Sequence, residues 1–138
     1  MHVEWTVEMS VGITEIDDQH KELIRRSNDI LNAVIAGKSI EEAERTIAFA
    51  QNYLACHFQT EEKYMMRYGY PQYVSHKARH TLYLMEFSGI KHSFQSGDPD
   101  STLAHVSDKL IEPLIDHIKQ EDKALGNYIY ATKQKIAA

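Results

Sequence analysis

The stretch C-H-F-Q-T-E-E-K-Y-M-M, Cys56 to Met66, carries an imidazole and a carboxylate four residues apart, His57 and Glu61. On a helix those two positions lie one above the other. The face they share continues Ala43, Ile47, Ala50 and Leu54, so it is the face such a helix buries. A single histidine on an apolar stripe is ordinarily a hydrogen-bonded core residue. Here the pattern recurs on every segment with helical periodicity. His20 falls on the stripe of Ile16, Leu23, Ile24, Leu31 and Val34. His76 and His80 share a stripe with Tyr73, Leu84, Phe87 and Phe94, and His117 shares one with Leu103, Val106, Leu110 and Leu114. Left unpaired in a core, each such group would cost roughly 1–3 kcal/mol. A fold that buries these stripes must bring four helices around one polar centre, and a metal centre satisfies all of those groups together.

The punctuation of the chain agrees. Glycine and proline are scarce and fall at intervals, at Gly12, Gly37, Gly69-Tyr70-Pro71 and Gly97-Asp98-Pro99. They separate an N-terminal arm from helices expected over about 17–36, 40–68, 72–96 and 100–122. S-I-E-E at Ser39 reads as a capping box, with Glu42 reaching back. No segment alternates with period two and no hairpin signal occurs. Short connections favour antiparallel neighbours, so the expected fold is all-α, an up-down-up-down four-helix bundle. Residues after Gly126 form a further short helical tail in this reading. Pro113, inside the fourth helix, removes a backbone donor and should kink it.

Composition narrows the function classes. At 138 residues the chain is one domain in length, residues 1–138. Its net charge of −5, with no basic stripe, argues against nucleic acid as a partner. No positive leader and no apolar run of about 20 residues is present, which speaks against export and membrane insertion. The lone Cys56 fits a reducing compartment, so a cytoplasmic location is expected.

The i,i+4 spacing lets one helix supply two ligands to one centre, from His57 and Glu61 and again from His76 and His80. The fourth helix leaves a choice. From His117, helical spacing selects Glu121 as the inward carboxylate. Asp122 sits about 140° round an ideal helix and needs a local distortion to join. Cys56 points about 100° away from His57 and is read as a non-ligand, and Glu62 as a rim charge. Met65 and Met66 are read as core filler, Tyr53 as core packing, and His2, His92 and His105 as solvent-exposed.

The combined series is specific. Trp5, V-G-I-T-E-I-D-D-Q-H-K-E-L ending at Leu23, Y-L-A-C-H-F-Q-T-E-E-K-Y-M-M-R-Y-G-Y-P, H-K-A-R-H and H-I-K-Q-E-D-K-A-L span nearly the whole chain. Together they resemble the hemerythrin family, and its bacterial single-domain members in particular. The resemblance implies a non-heme di-iron site with Asp122, not Glu121, as the second bridging carboxylate beside Glu61. It assigns His76, His80 and His117 to a saturated iron and His20 and His57 to an open one. It implies reversible binding of dioxygen at the open iron, for storage, buffering or delivery, and no enzymatic role. The myohemerythrin of this family is itself a standard example of the bundle.

With that ligand set, five imidazoles and two bridging carboxylates supply nine bonds, and an oxo or hydroxo bridge raises the number to eleven. Two octahedral ions need twelve, so one position stays open. Imidazole with carboxylate suits iron, while donor type alone leaves zinc and manganese open. Carboxylate-dominated ferritin-like sites differ from this imidazole-rich set. Ile24, Phe58, Tyr83, Leu114 and Ile118, each beside a ligand, are the candidate walls of a water-poor pocket. Two alternatives stand beside the carrier: an oxygen or redox sensor, and a di-iron enzyme acting on peroxide, nitric oxide or damaged iron sites. An unidentified protein that receives oxygen or a signal is the remaining partner to consider.

Overall fold

The structure, a computed structural model, describes residues 2–96 and 98–137, the side chains of residues 91–96 and 99 excepted. The sequence expectations for Phe94, His92 and Gly97 therefore lie outside the described residues. A short 3-10 turn, Val7–Met9, lies in the N-terminal arm. Three α-helices follow: α1 (Thr14–Ile35), α2 (Ile40–Arg67) and α3 (Tyr73–Ser96). A fourth helix then runs without interruption through α segments Pro99–Val106, Glu112–His117 and Lys123–Ala137, joined by π turns at Ser107–Ile111 and Ile118–Asp122. Each helix packs on two neighbours, α1 on α2, α2 on α3, and the fourth on both α3 and α1. This is the up-down-up-down bundle that the four stripes require.

The ends follow from local chemistry. α1 and α2 both close in Schellman motifs on a glycine with positive φ. Gly37 has φ 64° and Lys38 N donates to Ala33 O at 3.1 Å; Gly69 has φ 62° and Tyr70 N donates to Met65 O at 2.9 Å. Ser39 Oγ caps α2 by accepting from Glu42 N, and Asp98 caps the fourth helix by accepting from Ser101 N, both at 3.2 Å. α1 starts three residues earlier than its expected start at 17. Asp17 sits inside the first turn, where its charge suits the helix N-terminus. Its carboxylate holds the arm instead of the cap, accepting from Ser10 Oγ at 2.6 Å and Val11 N at 2.8 Å.

The proline is accommodated by a change in winding. The ring of Pro113 would clash with the carbonyl four residues earlier, on Lys109. Lys109 lies inside the first π turn, where the helix is wider and the i−4 bond is not required. Nor does the fourth helix stop near 122 with a separate tail after Gly126, as the sequence suggested; it continues through Lys123–Ala137. A Cβ built at Gly126 would stand 2.1 Å from the Val11 carbonyl oxygen, so the glycine lets the arm lie against the helix. The arm is further tied by Lys123 Nζ to Ser10 O at 2.7 Å. It is also clamped by Asn28, which accepts from Val3 N at 2.9 Å and donates to Val3 O at 2.7 Å. Gly126→Ala is therefore expected to destabilise the fold by about 1–3 kcal/mol, since backbone must move to admit the methyl. A lowered urea midpoint, with faster proteolysis within the arm, checks this.

Two apolar clusters fill the bundle. One gathers Leu23, Ile24, Leu54, Phe58, Phe87, Leu110, Leu114 and Ile118 among others. The second gathers Val11, Ile13, Ile16, Met65, Tyr70, Leu125 and Ile129. On α1, α2 and the fourth helix the polar stripe residues fall in chain order between members of the two. The bundle therefore buries a polar layer between two apolar ones.

Candidate metal centre

That layer contains His20, His57, Glu61, His76, His80, His117 and Asp122, each no more than 3% exposed. Four helices supply them. Their donor atoms fall into two groups, each with all members within 4.8 Å of one another. Glu61, His76, His80, His117 and Asp122 form the larger group, and His20, His57, Glu61 and Asp122 the smaller.

Both carboxylates are shared oxygen by oxygen. Glu61 Oε1 stands 3.0 Å from His80 Nε2, 3.4 Å from His76 Nε2 and 4.0 Å from His117 Nε2. Glu61 Oε2 faces His57 Nε2 at 3.0 Å and His20 Nε2 at 3.3 Å. Asp122 Oδ1 lies 3.0 Å from both His76 Nε2 and His117 Nε2, and Oδ2 lies 2.9 Å from His20 Nε2. Neighbouring donors on an octahedral ion with bonds of about 2.1 Å are about 3.0 Å apart. The donor spacing within each group is one that a metal ion can bridge.

A group bound there would also satisfy atoms that nothing else does. Nε2 of His57, His76, His80 and His117, Glu61 Oε1 and both Asp122 oxygens are buried without a hydrogen-bond partner. Buried polar atoms are rarely left so. Nitrogen and carboxylate donors of this kind suit a divalent or trivalent first-row metal.

The fourth helix settles which carboxylate enters. The π turn Ile118–Asp122 widens the helix so that a residue five positions after His117 returns to the same side. Asp122 is 1% exposed in the cage, whereas the Glu121 side chain is 29% exposed and lies behind His117. The lean of ideal helical spacing toward Glu121 is thus overturned, because the helix is not ideal at that turn.

The residues behind the imidazoles carried weaker sequence signals. His57 Nδ1 pairs with Gln19 Oε1 at 2.7 Å, His80 Nδ1 with Glu62 Oε2 at 2.8 Å and His117 Nδ1 with Glu121 Oε2 at 3.0 Å. Each fixes its ring with Nε2 toward the cage. Arg79 Nε in turn meets Glu121 Oε1 at 3.0 Å. Glu62 is thus an acceptor for a cage histidine, where the sequence suggested a rim charge. Only Glu121, one turn from His117, had a spacing that points to such a role; Gln19 and Glu62 act across helices, where sequence spacing is silent.

Taken as ionisable groups alone, the cage residues bias one another strongly. Burial pushes His20 and His76 down, but Asp122 and Glu61 outweigh it and hold both at about 9. Burial likewise opposes His117, which Asp122 and Glu121 raise to about 12. Burial and Glu61 push Asp122 up, yet His117 and His20 bring it down to about 2. Glu61 is held well below the usual carboxylate range, as the histidines around it outweigh its burial.

Phe58 stacks on His80 with ring centroids 3.8 Å apart, and Tyr83 meets His117 edge-on at 5.3 Å. The Tyr83 hydroxyl donates to the Pro113 carbonyl. Ile24, Leu114 and Ile118 are buried in the same apolar cluster as Phe58. Cys56 is exposed, as its helical phase requires, and so is His2. Tyr53 packs against the main core with the Arg26 guanidinium 4.7 Å from its ring centroid. Met65 is buried, but Met66 is 62% exposed and is not core filler, because it follows Met65 by about 100° of helix. His105 is half-buried rather than solvent-exposed, since its segment lies against the bundle.

The sequence model of the hemerythrin HHE cation binding domain matches residues 11–129, which include every cage residue. The chain belongs to the hemerythrin family. Among its relatives, a bacteriohemerythrin of Stenotrophomonas maltophilia is 27% identical over 135 residues, covering 96% of this chain and 85% of that one. A bacteriohemerythrin of Methylococcus capsulatus is 28% identical over 126 residues, covering 88% and 92%. A crystal structure of a hemerythrin variant superposes with a TM-score of 0.78 at 24% identity, covering 92% of this chain and 96% of that one. That likeness establishes the hemerythrin fold. Among the described residues, no helix is long and apolar enough to cross a membrane.

Proposed function

We propose that residues 1–138 act as one unit that holds two iron ions and binds dioxygen reversibly, for storage, buffering or delivery. In this reading His76, His80 and His117 hold one ion, His20 and His57 hold the other, and Glu61 and Asp122 bridge them. The observation that carries it is the unequal division of the cage into five donors and four, with both carboxylates shared. The smaller group has room for a further ligand. A ferrous pair bound there would supply two electrons and an open coordination position to a small molecule.

The protein's own residues then have defined tasks. Gln19, Glu62 and Glu121 keep the ring nitrogens His57 Nε2, His80 Nε2 and His117 Nε2 aimed inward. Ile24, Phe58, Leu114 and Ile118 exclude water from one side of the cage. Catalytic turnover needs an acid or base within reach of the substrate. Glu62 and Glu121 are engaged behind His80 and His117, and the Tyr83 hydroxyl is engaged by Pro113, which favours binding over turnover. The exposed thiol of Cys56 suits a reducing compartment, and the cytoplasm is the location we assign.

The test is to load the protein with iron, reduce it anaerobically, admit oxygen and follow the charge-transfer absorption. The expected result is a stable spectrum that reverses when oxygen is removed. Immediate irreversible oxidation, with peroxide consumed on repeated cycling, would sink the carrier and favour an enzyme.

A further inference from the structure

The hydrogen-bond partners behind the imidazoles are not equivalent across the two halves of the cage. In the five-donor half, His80 and His117 each turn Nδ1 to a carboxylate, Glu62 at 2.8 Å and Glu121 at 3.0 Å. In the four-donor half, His57 turns Nδ1 to the neutral amide of Gln19 at 2.7 Å, and His20 Nδ1 is buried with no partner.

The identity of the acceptor on Gln19 follows from its surroundings. Thr60 Oγ1 donates its one hydrogen to the Cys56 carbonyl at 3.2 Å, so it can only accept from Gln19 Nε2, which lies 3.2 Å away. The amide group of Gln19 is therefore turned toward Thr60 and its oxygen toward His57. That oxygen accepts from His57 Nδ1, and His57 Nε2 faces the cage. On the other side the Arg79 Nε stands 3.0 Å from Glu121 Oε1, while Oε2 of the same carboxylate lies 3.0 Å from His117 Nδ1.

An imidazole that donates to a carboxylate becomes a more basic ligand, more so than one that donates to an amide. We propose that Glu62, Glu121 and Gln19 are positioning residues that make the two halves electronically unequal. The five-donor half is the stronger electron donor, and the four-donor half is kept the weaker one. The saturated half then holds its ion more tightly and favours the more oxidised state. The open half retains a more electron-poor ion, which is labile toward an exogenous ligand. This rests on the two-ion reading above.

The test uses a redox-silent probe and needs no oxygen chemistry. The purified full-length protein is loaded with Zn(II) or Co(II) and titrated with a chelator of known affinity, the weaker step being assigned with His20→Ala. The wild type is expected to release its two equivalents in separate steps, at least about tenfold apart. Glu62→Gln and Glu121→Gln should each weaken the tighter step by about tenfold or more and leave the weaker step within a factor of about two. Gln19→Glu should move the other way, tightening the weaker step and closing the gap. Circular dichroism confirms that each variant is folded, and the near-isosteric exchanges preserve packing. A merely structural role would weaken retention in all three variants. Equal effects on both steps, or a looser weaker step in Gln19→Glu, would overturn the proposal while two equivalents still bind. Failure of the wild type to bind two equivalents would instead overturn the two-ion reading, and this inference with it.

Discussion

Asp122→Ala is expected to lose at least one metal equivalent at saturating iron, whereas Glu121→Ala will retain both. Asp122 places one oxygen in each half of the cage, 3.0 Å from His76 and His117 on one side and 2.9 Å from His20 on the other. In the two-ion reading proposed above, its removal takes a donor from both ions at once. Glu121 never enters the cage; it holds the far nitrogen of His117 and is partly solvated. Its loss costs affinity, on the order of 10–100-fold, without changing the number of ions held when metal is abundant. Metal analysis of the dialysed variants decides the matter. Equal iron content in Asp122→Ala and wild type would show that the π turn does not deliver a ligand.

The second large effect couples metal to pH. His20 and His76 are raised from 6.5 to about 9, and His117 to about 12. A group raised on folding contributes stability that is complete below its unfolded value, near 6.5, and is lost as pH rises through the folded value. Asp122, lowered to about 2, contributes stability above its unfolded value, near 3.8, and loses it as pH falls through 2. The metal-stripped protein should therefore be most stable between about pH 4.5 and 6.5 and should weaken from there to pH 9 and beyond. Metal acts in the opposite sense. It requires unprotonated imidazoles, so each proton it displaces costs about tenfold in apparent affinity per pH unit below the raised value. The rise in melting temperature on adding Zn(II) should be small at pH 6 and large at pH 9. At a free concentration 1,000 times the dissociation constant it corresponds to about 4 kcal/mol per site. A metal-induced rise that is the same at both pH values would contradict the arrangement of charges in the cage.

The fold was legible because its stripes were interrupted in register. Apolar periodicity alone would give four helices, but the imidazoles at His20, His57, His80 and His117 fix which face of each must meet the others. The cage residues could be named for the same reason, since i,i+4 pairs need only a regular helix. What was hidden depended on irregular or cross-helix geometry. Asp122 enters through a π turn that spacing does not announce, and only the family resemblance pointed to it over Glu121. Gln19 and Glu62 act on histidines of other helices, so no spacing within a segment reveals them. Gly126 carries the usual mark of a helix stop and is instead a point of close approach, set by the Val11 carbonyl more than a hundred residues away.

The π turn at Ile118–Asp122 has one more implication. It lodges a single surplus residue in a helix that carries one other such turn, at Ser107–Ile111. Wound as a plain α-helix with no residue removed, the same sequence would turn everything downstream by about 100°. Leu125 and Ile129 would leave the second apolar cluster, and Gly126 would no longer face Val11. The register of the fifteen residues Lys123–Ala137 and the seat of the N-terminal arm are therefore set by the same π turn that brings a carboxylate into the cage. Aiming the carboxylate and seating the arm are thus one requirement, met by the winding of a single turn.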